Sequence, residues 1–325
     1  MDQDSRIYVA GHRGLVGSAI CRRLRNSGYT NLLLRTHAEL DLADPVAAHR
    51  FFQAERPEYV FLAAAKVGGI VANDNYPGDF IRENLLIQTN VIEASHRAGV
   101  SRLIFLGSSC IYPKLCPQPI KETYLLTGPL EPTNRAYALA KIAGIEMCWA
   151  YNRQFGTRYL SVMPSNIYGP GDNYDLNTSH MLPALIRRVC EAKAAGRQKL
   201  IVWGTGTPRR ELLFSDDLAD ACVFLINLSE DGYSELLSND EPPLINVGTN
   251  TDLTIREIAE LVCRILKYEG QIIQDPSKPD GTPRKLLDSF KLNALGWYAS
   301  VSLEQGIQIS YEAFKGEARG VEIKI

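Results

Sequence analysis

The sequence predicts an α/β fold: a doubly wound parallel sheet followed by a smaller, mixed α/β C-terminal domain. Three observations predict it. Nearly continuous apolar runs alternate with amphipathic helical stretches through the first half, as expected of strands covered on both faces. A glycine-rich turn joins the first strand to the first helix. From residue 169 the alternation breaks, and residues 169–183 are rich in Gly, Asn, Asp and Pro. A length of 325 residues gives material for about two domains.

Arg6–Ala10 is the first strand and Gly17–Ser27 continues as a helix, with Ala19, Ile20 and Leu24 on one face. Asn31–Arg35 is the second strand. Pro45–Glu55 is a helix that Pro45 opens at a first-turn position. Tyr59–Ala65, a long helix Phe80–Ala98, the strand Arg102–Leu106, the helix Thr133–Phe155 and the strand Tyr159–Met163 follow. After the loop come a helix near 182–195, a strand Lys199–Trp203, a helix near 216–228 and a strand Leu244–Val247. Thr254–Leu266 opens with a capping box, Thr254 and Glu257. The expected division is a nucleotide-binding domain over 1–170, with segments near 213–248 returning to it, and a mainly substrate-binding domain over 171–325.

Composition narrows the function. A formal net charge of −2 argues against non-specific nucleic-acid or membrane-surface binding. No apolar run approaches membrane-helix length, and the start MDQDSRIYVAG is not a secretory signal, so a cytoplasmic location is expected. Seven scattered cysteines form no CxxC pair and no Cys/His cluster, so neither a disulfide framework nor a metal site is expected.

Gly11, His12, Arg13, Gly14, Leu15, Val16 and Gly17 form the turn after the first strand. Gly11 permits the tight turn, Gly14 lets the backbone approach a pyrophosphate, and Gly17 allows close helix–strand packing, in the manner of a Rossmann-type dinucleotide site. The spacing is GxxGxxG. An ordinary glycine-rich turn is the alternative. NAD sites place Asp or Glu at the end of the second strand, but Arg35 stands there, followed by Thr36 and His37. A guanidinium suits a 2′-phosphate, which favours NADP(H); a solvated strand end is the alternative for Arg35.

Tyr137 and Lys141 are spaced YxxxK on one helix face, after a strand ending in Leu106-Gly107-Ser108-Ser109-Cys110. Ketone reduction needs hydride on carbon and a proton on oxygen. Tyr137 can supply the proton, a neighbouring ammonium lowering its pKa, and Ser108 can hydrogen-bond the same oxygen. Tyr311 and Lys315 repeat the spacing without a preceding strand-end serine and read as structural.

The glycine turn, serine and YxxxK, in that order, resemble the extended short-chain dehydrogenase/reductase family, and the similarity continues to the end of the chain. The stretches GHRGLVGSAI, AAAKVGGIVAN, GSSCIYPK, LEPTN, YALAKIAGIEMC, WGTGTP and SKPDGTPRKLLD look like its branch that epimerises and reduces a GDP-bound sugar, GDP-4-keto-6-deoxy-D-mannose to GDP-L-fucose. A 4-reductase or 4-epimerase acting on another nucleotide sugar is the alternative. The resemblance implies Ser108, Tyr137 and Lys141 as the reductive triad, and Leu106, Gly107, Ser108, Ser109, Lys141, Pro164, Ser165, Asn166, Ile167 and His180 as further cofactor contacts. It also implies Cys110 as base and His180 as acid for epimerisation at carbons 3 and 5, whose protons the 4-ketone acidifies. By strand alternation Cys110 is expected on the side of Ser108; on residues alone, a core cysteine and a surface histidine are the alternatives. Arg188, Arg210 and Lys285 are candidate cations for the substrate diphosphate, and the resemblance supports Arg188, Trp203, Arg210 and Asp280 as substrate contacts. It implies a GDP-sugar partner and a homodimer. His37 departs from the branch's second arginine, which weakens the preference for NADP over NAD.

Overall fold

The computed structural model describes residues 1–176, 178–237, 239–278 and 280–320. In chain order the elements are β1 (Ile7–Ala10), α1 (Leu15–Asn26), β2 (Leu32–Leu33), α2 (Pro45–Glu55), β3 (Tyr59–Leu62), α3 (Ile70–Asn75), α4 (Pro77–Ala98), β4 (Arg102–Leu106), α5 (Arg135–Phe155), β5 (Tyr159–Pro164) and β6 (Asn166–Tyr168). There follow α6 (Met181–Ala194), β7 (Lys199–Trp203), β8 (Arg209–Phe214), α7 (Ser215–Ile226), α8 (Glu230–Ser234), β9 (Leu244–Val247), β10 (Asp252–Thr254), α9 (Ile255–Ile265), β11 (Gln271–Asp275), β12 (Arg284–Lys285), α10 (Phe290–Ala294) and α11 (Leu303–Gly320).

Six parallel strands form the main sheet in the order β2-β1-β3-β4-β5-β9. Its strands are mostly apolar because helices cover both faces. On one face Val9, Ile104, Val162 and Ile245 pack with Ile20 and Leu24 of α1 and Leu218 of α7; on the other, Leu62 and Phe105 pack with Phe52 of α2, Ile92 of α4 and Ile145 of α5. Arg102 is buried at the start of β4 because its guanidinium donates to the Ile226 and Leu228 carbonyls and to Glu230 at 2.9, 2.6 and 2.9 Å. The predicted fold class holds.

The chain leaves the main sheet after β5 and rejoins it at β9. Between and beyond these strands lies the smaller mixed unit. Strands β10, β8 and β12 form one small sheet, with β6 also on β8, and β11 pairs with β7. Its core joins Leu185 and Val189 of α6, Leu200 and Val202 of β7, and Ile258 and Val262 of α9.

Boundaries shift where caps decide them. Helix α4 begins at Pro77, three residues before the expected Phe80, and the short α3 precedes it in a stretch to which the sequence assigns no element. The loop expected to 183 ends earlier, at Met181, where α6 starts. Strand β2 stops at Leu33, short of Arg35. The capping box is present: Thr254 N–H donates to Glu257 Oε2 at 2.7 Å, and Glu257 N–H to Thr254 Oγ1 at 3.1 Å. Thr254→Ala should therefore lower the free energy of unfolding by about 1 kcal/mol without changing the fold, measured by urea denaturation with circular dichroism.

Candidate functional site

The glycine turn fits closely into the sheet. Gly11 has φ of 80°, and a Cβ there would meet the Ala64 backbone at 2.8 Å. A Cβ on Gly17 would overlap the Gly11 carbonyl oxygen. Gly14 precedes α1, with no side-chain cap and no acidic residue in the first turn, so the first helical N–H groups face the strand ends without an anion of their own. Two buried polar atoms, His12 Nδ1 in this turn and Ser165 Oγ just after β5, have no hydrogen-bond partner among the described residues. A Cβ on Gly107 would overlap the Met163 side chain, which packs beneath the end of β4.

Beyond β2, the Arg35 guanidinium donates to Glu55 Oε1 at 2.5 Å and lies 5.5 Å from the Phe51 ring centroid. Arg13 is exposed. His37 is open to solvent beside Asp41, at 3.7 Å. Sequence reasoning missed Glu39. Its carboxylate accepts from the Thr36 N–H and hydroxyl, each at 2.8 Å, and these bonds, with Arg35 and Arg13 nearby, hold it below the usual carboxylate range. The Thr-x-x-Glu spacing was the available signal. An acid does stand near the guanidinium, four residues after it.

Ser108, Cys110, Tyr137 and Lys141 converge at the end of β4. The expected strand alternation does not place Cys110, because Ser109–Ile111 form a one-turn helix. Ser108 caps that turn, and its Oγ accepts the Cys110 N–H at 3.4 Å. Cys110 is buried, which raises its thiol pKa, while Lys285, Ser108 and Lys141 oppose that rise. Lys141 is only 3% exposed and donates from Nζ to the Leu106 carbonyl at 2.8 Å. Its Nζ lies 5.8 Å from the Tyr137 ring centroid. Burial lowers the Lys141 pKa to about 8. The expected lowering of the Tyr137 phenol does not occur in the chain alone: burial dominates and raises it, the nearby Cys110 adds to the rise, and a hydrogen bond with Ser108 opposes it.

His180 immediately precedes α6. Its pKa is lowered, first by desolvation and then by Lys285. Arg188 lies over the Trp203 ring at 4.6 Å, with Lys278 at 5.6 Å from the same ring, and Trp203 is 47% exposed. The Asp280 carboxylate accepts from Thr205 N–H and hydroxyl at 3.0 and 2.7 Å. Arg210 donates to the Arg209 and Thr282 carbonyls at 2.7 and 2.6 Å. The neighbouring Arg187 is paired with Glu191 at 2.7 Å. Most sequence-predicted residues thus fall into three groups: the glycine turn; the cluster at the end of β4, with Pro164 ending the neighbouring β5 and Ser165, Asn166 and Ile167 following it; and Arg188, Trp203, Arg210 and Asp280, while Arg35, His37 and His180 stand outside them.

A family model described as the NAD dependent epimerase/dehydratase family matches residues 7–248. The chain belongs to this family. It is 56% identical over 311 residues to GDP-L-fucose synthase 1 of Arabidopsis thaliana, covering 96% of this chain and 93% of that protein. It is 53% identical over 311 residues to GDP-L-fucose synthase of Escherichia coli (strain K12), covering 95% and 96%. Among solved structures, a GDP-mannoheptose C4 reductase from Campylobacter jejuni with NADP bound superposes with a TM-score of 0.88 at 38% identity, covering 97% of this chain and 99% of that one. The resemblance drawn from the order of the motifs is borne out.

Within the folded chain, Lys141 holds a charge that its surroundings disfavour. Its folded pKa lies below the unfolded value of 10.5. The destabilisation is therefore fully present below pH 8 and disappears as pH rises toward 10.5. Lys141→Met should be more stable than the parent at pH 7, by up to about 3 kcal/mol, and the difference should shrink by pH 9.5. Urea unfolding of both proteins at the two pH values measures this.

Proposed function

We propose that the protein epimerises carbons 3 and 5 of GDP-4-keto-6-deoxy-D-mannose and then reduces carbon 4 with NADPH, giving GDP-L-fucose. The observation that carries this reading is the cluster of Ser108, Cys110, Tyr137 and Lys141 at one strand end, in a chain 53–56% identical over nearly its whole length to GDP-L-fucose synthases of plant and bacterial origin.

The residues present fit a dinucleotide. The uncapped start of α1, the orphaned His12 Nδ1 and Ser165 Oγ, and the glycines that leave no room for a Cβ describe a cradle with unfilled donors. Gly11, His12, Arg13, Gly14, Leu15, Val16 and Gly17 would hold the pyrophosphate, Arg35 and His37 the 2′-phosphate end, and Leu106 to Ser109, Lys141, Pro164 to Ile167 and His180 the nicotinamide end. When bound, NADPH supplies hydride to carbon 4. The chain's own residues supply the rest. Tyr137 gives its proton to the 4-oxygen as Ser108 hydrogen-bonds the same atom. Lys141, fixed on the Leu106 carbonyl, keeps positive charge beside the phenol as it ionises. In epimerisation, Tyr137 and Ser108 steady the enolate oxygen, Cys110 removes the ring proton and His180 returns one to the opposite face. Arg188, Trp203, Arg210 and Asp280 would contact the nucleotide sugar.

On this reading residues 1–170, with 213–248 returning to them, serve the cofactor, and 171–325 mainly serve the substrate. An isomerase activity, a homodimer through α4 and α5, and a cytoplasmic location belong to the same proposal. Among the described residues no helix is long and apolar enough to cross a membrane. A 4-reductase alone is the second reading, favoured by the likeness to the C4 reductase; it needs Ser108, Tyr137 and Lys141 but neither Cys110 nor His180.

The deciding experiment incubates the protein with the 4-keto sugar nucleotide and NADPH in deuterated water, with NMR of the product. Deuterium at carbons 3 and 5 with oxidation of NADPH is expected; reduction without deuterium would leave the 4-reductase. Tyr137→Phe should lower the reduction rate by about 10²–10⁴-fold while cofactor binding survives, and Cys110→Ser should suppress deuterium uptake.

A further inference from the structure

Lys285, a candidate cation for the substrate diphosphate in the sequence, has no part in the steps described above. Its backbone is fixed, because β12 runs parallel to β8 with Lys285 opposite Arg210. Side chains alternate along the paired strands. Arg209 and Arg284 therefore point to one side, where Asp252 accepts from their Nε atoms at 3.0 and 2.5 Å. Arg210 and Lys285 point to the other. The salt bridges here join Lys114 to Glu131 and both back-face arginines to Asp252, and leave Lys285 outside them among the described residues. Lys285 lines the same small pocket as Cys110, together with Ser109, Lys114, Glu131 and Asn134. A half-buried cation outside any ion pair is costly; the acid that faces it, Glu131, is already paired with Lys114, and the pocket also holds the Cys110 thiol.

We propose that Lys285 is a positioning residue for epimerisation, its ammonium acting across this pocket to hold the Cys110 sulfur as the thiolate that takes the sugar proton. The proposal rests on the epimerase-reductase reading. Cys110 is faced by Lys285 from β12, by Lys141 and Tyr137 from α5, and by Ser108 from its own turn; Lys285 is the strongest of the groups favouring the thiolate, against burial. Lys285 in turn faces Arg210, Glu131 and Cys116. The same ammonium acts on His180 and makes it a stronger acid. One charge thus readies both faces of the sugar. The thiolate takes a proton from carbon 3 or 5, and the C–H electron pair moves into an enolate on the 4-oxygen. The imidazolium then delivers a proton to the opposite face. Water carries the thiol's proton back to the imidazole, which restores both groups.

Lys285→Met and Lys285→Arg test this, with Lys285→Gln in reserve should the methionine variant not fold. The first readout needs no sugar: ultraviolet thiolate absorbance against pH, each protein minus its Cys110→Ser counterpart. Lys285→Met should raise the thiol midpoint by about one pH unit, roughly tenfold less thiolate at neutral pH, and Lys285→Arg should restore it. The second readout is the pH profile of deuterium uptake at carbons 3 and 5. Removing the charge should move both limbs to higher pH, with KM for the sugar nucleotide little changed. An unmoved thiol midpoint with KM raised in both reactions would make Lys285 a diphosphate ligand and overturn the proposal. Because the titration is substrate-free, failure of the epimerase reading, seen as no uptake by the parent protein, is told apart from failure of this one.

Discussion

The Glu211 carboxylate accepts the backbone N–H groups of Thr249, Asn250 and Leu287 at 2.6, 2.8 and 2.9 Å. Three segments meet at that one buried side chain: β8 itself, the turn after β9 of the main sheet, and the stretch after β12. Burial pushes the carboxyl up to about 7, and the three N–H donors pull the other way. A Cβ on Gly248 would overlap this carboxylate, so glycine is what lets the turn close over it. The position of Arg210, next in sequence, and of Lys285, two residues before Leu287, follows from this knot. So does the attachment of the smaller unit to the sheet that carries Ser108 and Lys141.

The parts of the molecule governed by local rules were legible in the sequence. Buried parallel strands are nearly continuous apolar runs, so β1, β4 and β9 could be read with errors of at most a residue. Pro45 and Thr254 announced α2 and α9. Strand β8 was not legible, because Arg209-Arg210-Glu211 looks like an exposed charged stretch until Asp252 and three distant N–H groups are in place to satisfy it. The two-residue β12 exists only through its pairing with β8. Cys110 could be singled out by its neighbours, but its orientation comes from a helical turn that strand periodicity does not describe. The division into domains and the roles of individual residues are not read from these elements alone; they belong to the proposal.

Electrostatics explains the remaining difference between expectation and structure. YxxxK spacing was taken to mean an acidified phenol. In the folded chain the same packing that brings Tyr137 and Lys141 together removes water from both, which raises the phenol and lowers the ammonium. Proximity and desolvation come from one cause and act in opposite directions on the phenol. Charge near the phenol therefore matters more here than it would in water, since little solvent screens it.

Asp252 neutralises Arg209 and Arg284 on the back of the β8–β12 pair, while among the described residues Arg210 and Lys285 on its front form no ion pair, Asp280 and Glu131 acting on them only from a distance. The ribbon is thus electrically one-sided, although the chain as a whole carries a formal charge of −2. With Arg188 and Lys278 over Trp203, these cations offer an anion a local attraction that the net charge of the whole does not. Such a field acts on the rate of encounter and fades with added salt over a Debye length of about 8 Å at physiological ionic strength.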